Sequence, residues 1–170
     1  LINPNGIEFG TDAAFLSSGS LIATTAESVV FPDNAFFEAG EPARGAAATL
    51  FSVSAPIGLQ FGQTPGDIVN RAQTVSPEGL LNALRAPVGL SVEAGETLAF
   101  LGGRVLSENG NLTASSGQIV IAAVDASSYI SMSNDLSFGY RSVPAFGDIR
   151  LTQRSVFDVS GTGGRLQLRG

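Results

Sequence analysis

Leu112-Thr113-Ala114-Ser115-Ser116-Gly117-Gln118-Ile119-Val120-Ile121 is the stretch on which the fold turns. Apolar residues stand two apart on each side of a turn of small residues. That is the period of a half-buried β-strand, not of a helix. Phe157-Asp158-Val159-Ser160-Gly161-Thr162-Gly163-Gly164-Arg165-Leu166-Gln167-Leu168 repeats the arrangement. Leu90-Ser91-Val92-Glu93-Ala94-Gly95-Glu96-Thr97-Leu98-Ala99-Phe100 is a further copy, and Phe15 to Ala23, turning at Gly19, is a looser one. Each copy reads as strand, small-residue turn, strand, with one face inward and one outward.

The units recur roughly every 20 to 25 residues, the range in which stacked repeat architectures arise. This predicts an all-β solenoid of about seven turns, each laid on the last by parallel pairing. An antiparallel sandwich is the competing reading, since it also uses short, closely spaced strands. It would show two-residue hairpin turns, and only Asn5-Gly6 and Asn109-Gly110 have that composition. Two stretches interrupt the rhythm and are expected to leave the repeat, at about residues 32–56 and 125–147. The first contains Phe36-Phe37, a run rich in Ala, Gly and Pro, and the strand-like Leu50-Phe51-Ser52-Val53. In the second, Tyr129 to Met132 and Leu136 to Tyr140 alternate across Ser133-Asn134-Asp135, which predicts an antiparallel hairpin. A short helix is open between Ser76 and Leu84. Ser76 would cap it, Pro77 would sit at its first position, and Leu80, Leu81 and Leu84 would form its stripe.

Of the 170 residues, 44% are apolar and only 14% charged. The wet faces of a helical bundle need more charge than that, and disorder needs less apolar content. The net charge is −6, and the nine basic residues, all Arg, are scattered from Arg44 to Arg169. No basic stripe exists for a nucleic acid, so none is expected as a partner. His, Cys and Trp are absent. That removes the Ser-His-Asp and Cys-His arrangements of nucleophilic catalysis. It also suits a chain that crosses an oxidising compartment unfolded. The acids Asp12, Glu27, Asp67, Glu93, Glu96, Glu108, Asp125, Asp148 and Asp158 are dispersed. A carboxylate pair of glycosidase type is not visible among them. Neither enzymatic activity, cofactor nor metal is expected. The run Ser160 to Gly164 lacks the lysine of a phosphate loop and reads as a corner turn.

The chain opens with Leu1-Ile2-Asn3-Pro4-Asn5-Gly6-Ile7. Pro4 biases Asn3 toward extended backbone and presets the first corner of a turn; Asn5 and Gly6 suit its continuation and exit. A tight turn between apolar strands is therefore predicted. Asn3, Pro4, Asn5, Gly6 and Ile7 are the candidate functional residues. The alternative is that they act only as a structural turn.

The same residues resemble the NPNGI signature of two-partner secretion domains in the filamentous haemagglutinin family. Further blocks follow in order: Phe9-Gly10, Gly19 to Ala26, Pro56 to Gly62, Pro65 to Ile68, Gly89-Leu90, Gly95 to Leu98, Leu101 to Gly103 and Gly110 to Ala114. The chain is similar above all to the cyanobacterial members of this haemagglutination-activity family. The resemblance implies a right-handed parallel β-helix with extra-helical hairpins, a partial two-partner secretion domain over residues 1–170. It implies the secretion-directing and folding-nucleating region of a large, Gram-negative-type exoprotein. Its partner would be an outer-membrane barrel transporter with periplasmic polypeptide-binding domains. The destination would be extracellular or the cell surface, via the periplasm. A carbohydrate- or surface-binding adhesin module is the other reading, with Phe36, Phe37, Tyr129 and Tyr140 as candidate contacts. Upstream residues are expected, because the chain starts in mid-strand without the family's N-terminal portion. Further strands are expected beyond Gly170. The stretch from Arg71 to Pro87 is longer than the resemblance leads one to expect.

Overall fold

The computed structural model describes residues 1–15, 18–32, 35–40 and 54–170. It is all-β. The chain makes β1 (Ile7–Phe9) and β2 (Leu21–Thr24), then departs into β3 (Ser28–Val30), β4 (Phe36–Glu38) and β5 (Gly58–Gln60). It returns as β6 (Ile68–Asn70), β7 (Leu90–Ser91) and β8 (Thr97–Gly102), followed by β9 (Val105–Glu108), β10 (Leu112–Thr113) and β11 (Gln118–Ala123). A second departure gives β12 (Tyr129–Met132) and β13 (Phe138–Ser142), and the last pass is β14 (Ile149–Thr152), β15 (Phe157–Asp158) and β16 (Arg165–Arg169).

Equivalent strands of successive passes pair with one another. The first sheet runs β1-β6-β9-β14, the second β7-β10-β15 and the third β2-β8-β11-β16. Every pairing in these three sheets is parallel. The repeated copies of the sequence therefore lie one over another in register. Leu90, Leu112 and Phe157 share one row. Leu21, Leu98, Ile119 and Leu166 share another, and Ala23, Phe100, Ile121 and Leu168 a third. The parallel pairing excludes the antiparallel sandwich. Among the described residues these three parallel sheets are at most four strands deep, not seven, because the two departures and the long connection before β7 consume the length that a uniform period assigns to strands.

The inward rows form one core. Ile7, Leu21, Ile68, Leu90, Leu98, Phe100, Val105, Leu112, Ile119 and Ile121 belong to a single apolar cluster drawn from all three parallel sheets. Phe9 stacks on Phe100 with ring centroids 5.3 Å apart.

The outward rows depart from simple alternation. β8 is buried at every position and β11 at all but its first. The cause is a fourth, antiparallel sheet in the order β4-β3-β5-β12-β13, which covers the outer face of the third sheet. Ala99, Leu101, Val120 and Ala122 pack there with Leu59 of β5 and Ile130 of β12. Strands buried on both faces read as continuous apolar runs. Thr97 to Leu101 and Ile119 to Val124 are such runs. β12 and β13 form the expected hairpin, with Ser131 opposite Gly139. Leu50 to Val53 lie outside the described residues.

The helix left open between Ser76 and Leu84 does not form. The backbone instead makes two successive turns, closed by Gly79 N–H to Ser76 O and by Arg85 N–H to Asn82 O. Ser76 does cap, but it caps a turn: its Oγ accepts from Leu80 N–H at 2.9 Å. Gly79 and Arg85 both have positive φ, which ends any helix there. The leucine stripe gains nothing from a helix, because Leu80, Leu81 and Leu84 are 51–61% exposed.

Candidate functional site

The Asn3–Ile7 segment is the corner that leads into β1. Gly6 N–H donates to Asn3 O at 3.2 Å, closing the turn. Asn5 N–H donates to the Asn3 side-chain Oδ1 at 3.1 Å, the local bond that makes asparagine a turn former. Gly6 adopts φ +121°, a conformation that L side chains rarely take. Ile7 then turns inward to the core opposite Ile68, while Asn3 and Asn5 stay exposed. The predicted residues thus form one unit whose apolar end is buried and whose amides face solvent.

This corner rests on the next one. Gly66 N–H donates to Pro4 O at 3.1 Å, and Ile7 N–H to Asp67 O at 2.9 Å. Thr25 Oγ1 donates to Gly66 O at 2.8 Å from a fully buried position. Gly103 N–H continues the column to Gly66 O at 2.9 Å. A Cβ on Gly66 would stand 2.5 Å from Gly6 N, one on Gly103 2.2 Å from Pro65 O, and one on Gly147 2.2 Å from Gly103 O. Each is closer than non-bonded atoms approach. The corner between the third and first sheets is therefore a column of backbones in contact, and glycine is the residue that permits it. Sequence reading found the first turn but not this column, because Gly66, Gly103 and Gly147 fall at unequal separations along the chain. The clue was present in Pro65-Gly66-Asp67 and Gly102-Gly103-Arg104, where glycine immediately precedes a charged residue. Those residues pair: Arg104 Nε donates to Asp67 Oδ1 at 3.0 Å.

Beside the turn lies an open recess of about 380 Å³, lined by Pro4, Asn5, Glu27, Glu38 and Thr64 among others. Glu27, Glu38 and the exposed Asn5 all border it. Several of the other dispersed acids have partners elsewhere. Glu108 and Glu8 both pair with Arg71, Asp148 pairs with Arg150, and Glu96 accepts from Ser20 Oγ at 2.7 Å. Among the described residues no group of three or more Asp, Glu, His or Cys is placed to hold a metal ion.

Asp158 is the acid with the most singular setting. It is 1% exposed. Burial alone would raise its pKa, but hydrogen bonds from Ser160, Ala83 and Leu84 outweigh it and hold the carboxyl below its ordinary value. Ala83 N–H donates to Oδ2 and Ser160 N–H to Oδ1, each at 2.8 Å. The neighbouring Asn82 is likewise buried, its Oδ1 accepting from Leu84 and Ala86 N–H. Polar anchors thus clamp the 74–89 loop over the outer row of the second sheet. The run Ser160 to Gly164 forms the corner between β15 and β16: Ser116 N–H donates to Ser160 O, and Arg165 N–H to Gly117 O, both at 2.9 Å.

The geometry defines a class: an all-β chain of parallel passes, registered at corners where backbone meets backbone, with an asparagine turn at one end. The family model of the TPS secretion domain matches residues 1–168, and the chain belongs to this family of two-partner secretion domains. Its role accordingly lies in the secretion of an exoprotein by the two-partner route, with a transporter as partner. No curated protein and no solved structure matches the chain.

Proposed function

We propose that the four passes wind as a right-handed parallel β-helix, with residues 32–56 and 125–147 as insertions that leave it. In this reading the chain directs secretion and nucleates folding of a large exoprotein, and it acts without catalysis. The partner is an outer-membrane barrel that receives the chain through its periplasmic polypeptide-binding domains. The product is delivered outside the cell or to its surface. The observation that carries the reading is the construction of the first corner. The backbone of Asn3 to Ile7 is engaged by the next pass, yet the side chains of Asn3 and Asn5 are not needed by the core and remain exposed. A purely structural turn requires the Asn3 Oδ1 bond but gives no reason for an exposed Asn5 side chain at the border of a recess that Glu27 and Glu38 also line.

The test separates recognition from stability. Binding of the full chain to the transporter's periplasmic domains is measured for the parent and for Asn3→Ala and Asn5→Ala, with urea midpoints alongside. Loss of the exposed Asn3 bond is expected to lower stability by about 0.5–1.5 kcal/mol, and Asn5→Ala by less. Binding is expected to fall about tenfold in both, an extra ~1.4 kcal/mol confined to the complex. Binding that tracks the folded fraction alone would reduce the turn to structure. Contact by strand addition to a sheet edge of the partner has its own check: a peptide spanning residues 1–30 should bind, and its failure would remove that mode.

The adhesin reading has one observation in its favour. Phe36 and Phe37 on the edge strand β4 are 49% and 39% exposed. A glycan array probed with the parent and with Phe36→Ala decides it.

A further inference from the structure

The outer sheet is assembled from two distant parts of the chain. β3, β4 and β5 precede the second pass, whereas β12 and β13 follow the third. They meet along one seam, where Gln60 lies opposite Tyr129, Leu59 opposite Ile130 and Gly58 opposite Ser131. Bonds from flanking residues extend it. Met132 N–H donates to Ile57 O, Phe61 N–H to Ser128 O and Ser127 N–H to Gly62 O, each at 2.8 Å. Gln60 Nε2 donates to Ser128 O across 68 positions of sequence, and Tyr129 Oη to Ile57 O across 72.

Beneath the seam lies the second apolar cluster. Ala26, Leu59, Phe61, Ala99, Leu101, Val120, Ala122 and Val124 all precede the hairpin, and Ile130 of β12 completes them. Every one of these is at most 3% exposed. Without β12 one edge of β5 has no strand partner, and the outer face of the third sheet loses the cover of Ile130.

We infer that the 125–147 hairpin is a closing clasp. The parallel passes form by contact with their immediate neighbours, while the outer sheet shuts only when β12 reaches β5. The physical grounds are sequence separation and edge exposure. Leu59 pairs with Ile130 far along the chain, whereas Leu98 pairs with Ile119 only one pass away; closing the seam therefore costs more entropy than laying the third pass on the second, so the seam forms after β8 and β11 have paired. Until then β5 offers an unpaired row of backbone donors and acceptors above an apolar face. A chain delivered N-terminus first stays open on this side until Ser142 has arrived. The inference goes beyond the transporter reading and does not depend on what the Asn3–Ile7 turn contacts.

The test is pulse-labelled hydrogen exchange, read by mass spectrometry, during refolding of the full chain. Amides of β8 and β11 are expected to gain protection in an earlier phase, and those of β5 and β12 together in a later one. In native-state exchange, Ile130→Ala is expected to lower protection in β5 and β12 on the order of tenfold more than in β8 and β11. Tyr129→Ala, which removes the bond to Ile57 without opening the core, serves if Ile130→Ala does not fold. Simultaneous protection of all four strands, or protection of β5 and β12 first, overturns the clasp. So does an equal loss of protection everywhere in the variant.

Discussion

Gly103 carries one of the severe constraints that a single atom imposes on this chain. A methyl group there would stand 2.2 Å from Pro65 O, a backbone atom that cannot swing aside. Gly103→Ala is expected to lower stability by about 1–3 kcal/mol or more. Gly10→Ala, where the added carbon meets nothing within 4 Å, should stay within about 0.5 kcal/mol. Urea midpoints of the two variants compare contact with composition directly. Asp158 makes the second prediction at this scale. Its pKa is depressed in the folded state by hydrogen bonds that outweigh its burial. Its contribution is therefore complete above the unfolded value of about 3.9, and is lost as pH falls through the lower folded value. Asp158→Asn should lower stability at pH 7 by about 1.5–3 kcal/mol. The gap between parent and variant should narrow on acidification below about pH 4. Denaturation at pH 7 and pH 3 checks the sign. Sequence placed Asp158 on a strand but not inside, since alternation alone assigns such a residue to solvent. What buries it is the loop of residues 74–89, whose conformation the sequence misrepresented.

That loop shows how elements were and were not legible. Strands announced themselves by alternation around Gly95, Gly117 and Gly161, and the hairpin by alternation across Ser133-Asn134-Asp135. The short helix was suggested by Ser76, Pro77 and three leucines, each a sound local signal. It lost because a stripe stabilises a helix only by burial, and here the core is already closed by Leu90, Leu112 and Phe157. Asn82, through Thr113, and Asp158, through Ala83, hold the loop to the sheet, and the leucines face outward. Burial of both faces of β8 and β11 was written in the unbroken runs from Thr97 and Ile119. What covered the outer face was not, because β12 pairs with a strand far from it in sequence. The refolding order expected at the β5–β12 seam belongs to this scale, and it tests the partner that the pattern did not name.

At the scale of the molecule, the first corner, the glycine column and the outer sheet answer separate needs. The column sets one pass on another, and the outer sheet ties the early passes to the late ones. The turn of Asn3 to Ile7 was legible as a turn, and its neighbours Pro65 to Asp67 stood out only within a block carried by resemblance. Their contact was not, since it joins two glycines brought together by the passes rather than by sequence. The binding experiment with Asn3→Ala and Asn5→Ala is a whole-molecule prediction for that reason: it requires the corner seated on the second pass.

The seam also has a mechanical consequence. β1 pairs with β6 alone, and β2 lies between β8 and the short Leu1–Asn3 segment bonded to it. A pull applied at Leu1 loads their bonds one after another, as a zipper is loaded, and they should yield at low force. The next strands in line, β3 and β5, belong to the sheet that β12 fastens from far along the chain. Tension reaching β5 is shared with the hairpin, so resistance is expected to rise after the first pass has peeled away. Held by its N-terminus in an optical trap, the domain should lengthen first by a small, easy step and then by a larger one at higher force. A machine that grips this end would therefore find the grip loose and the body tight.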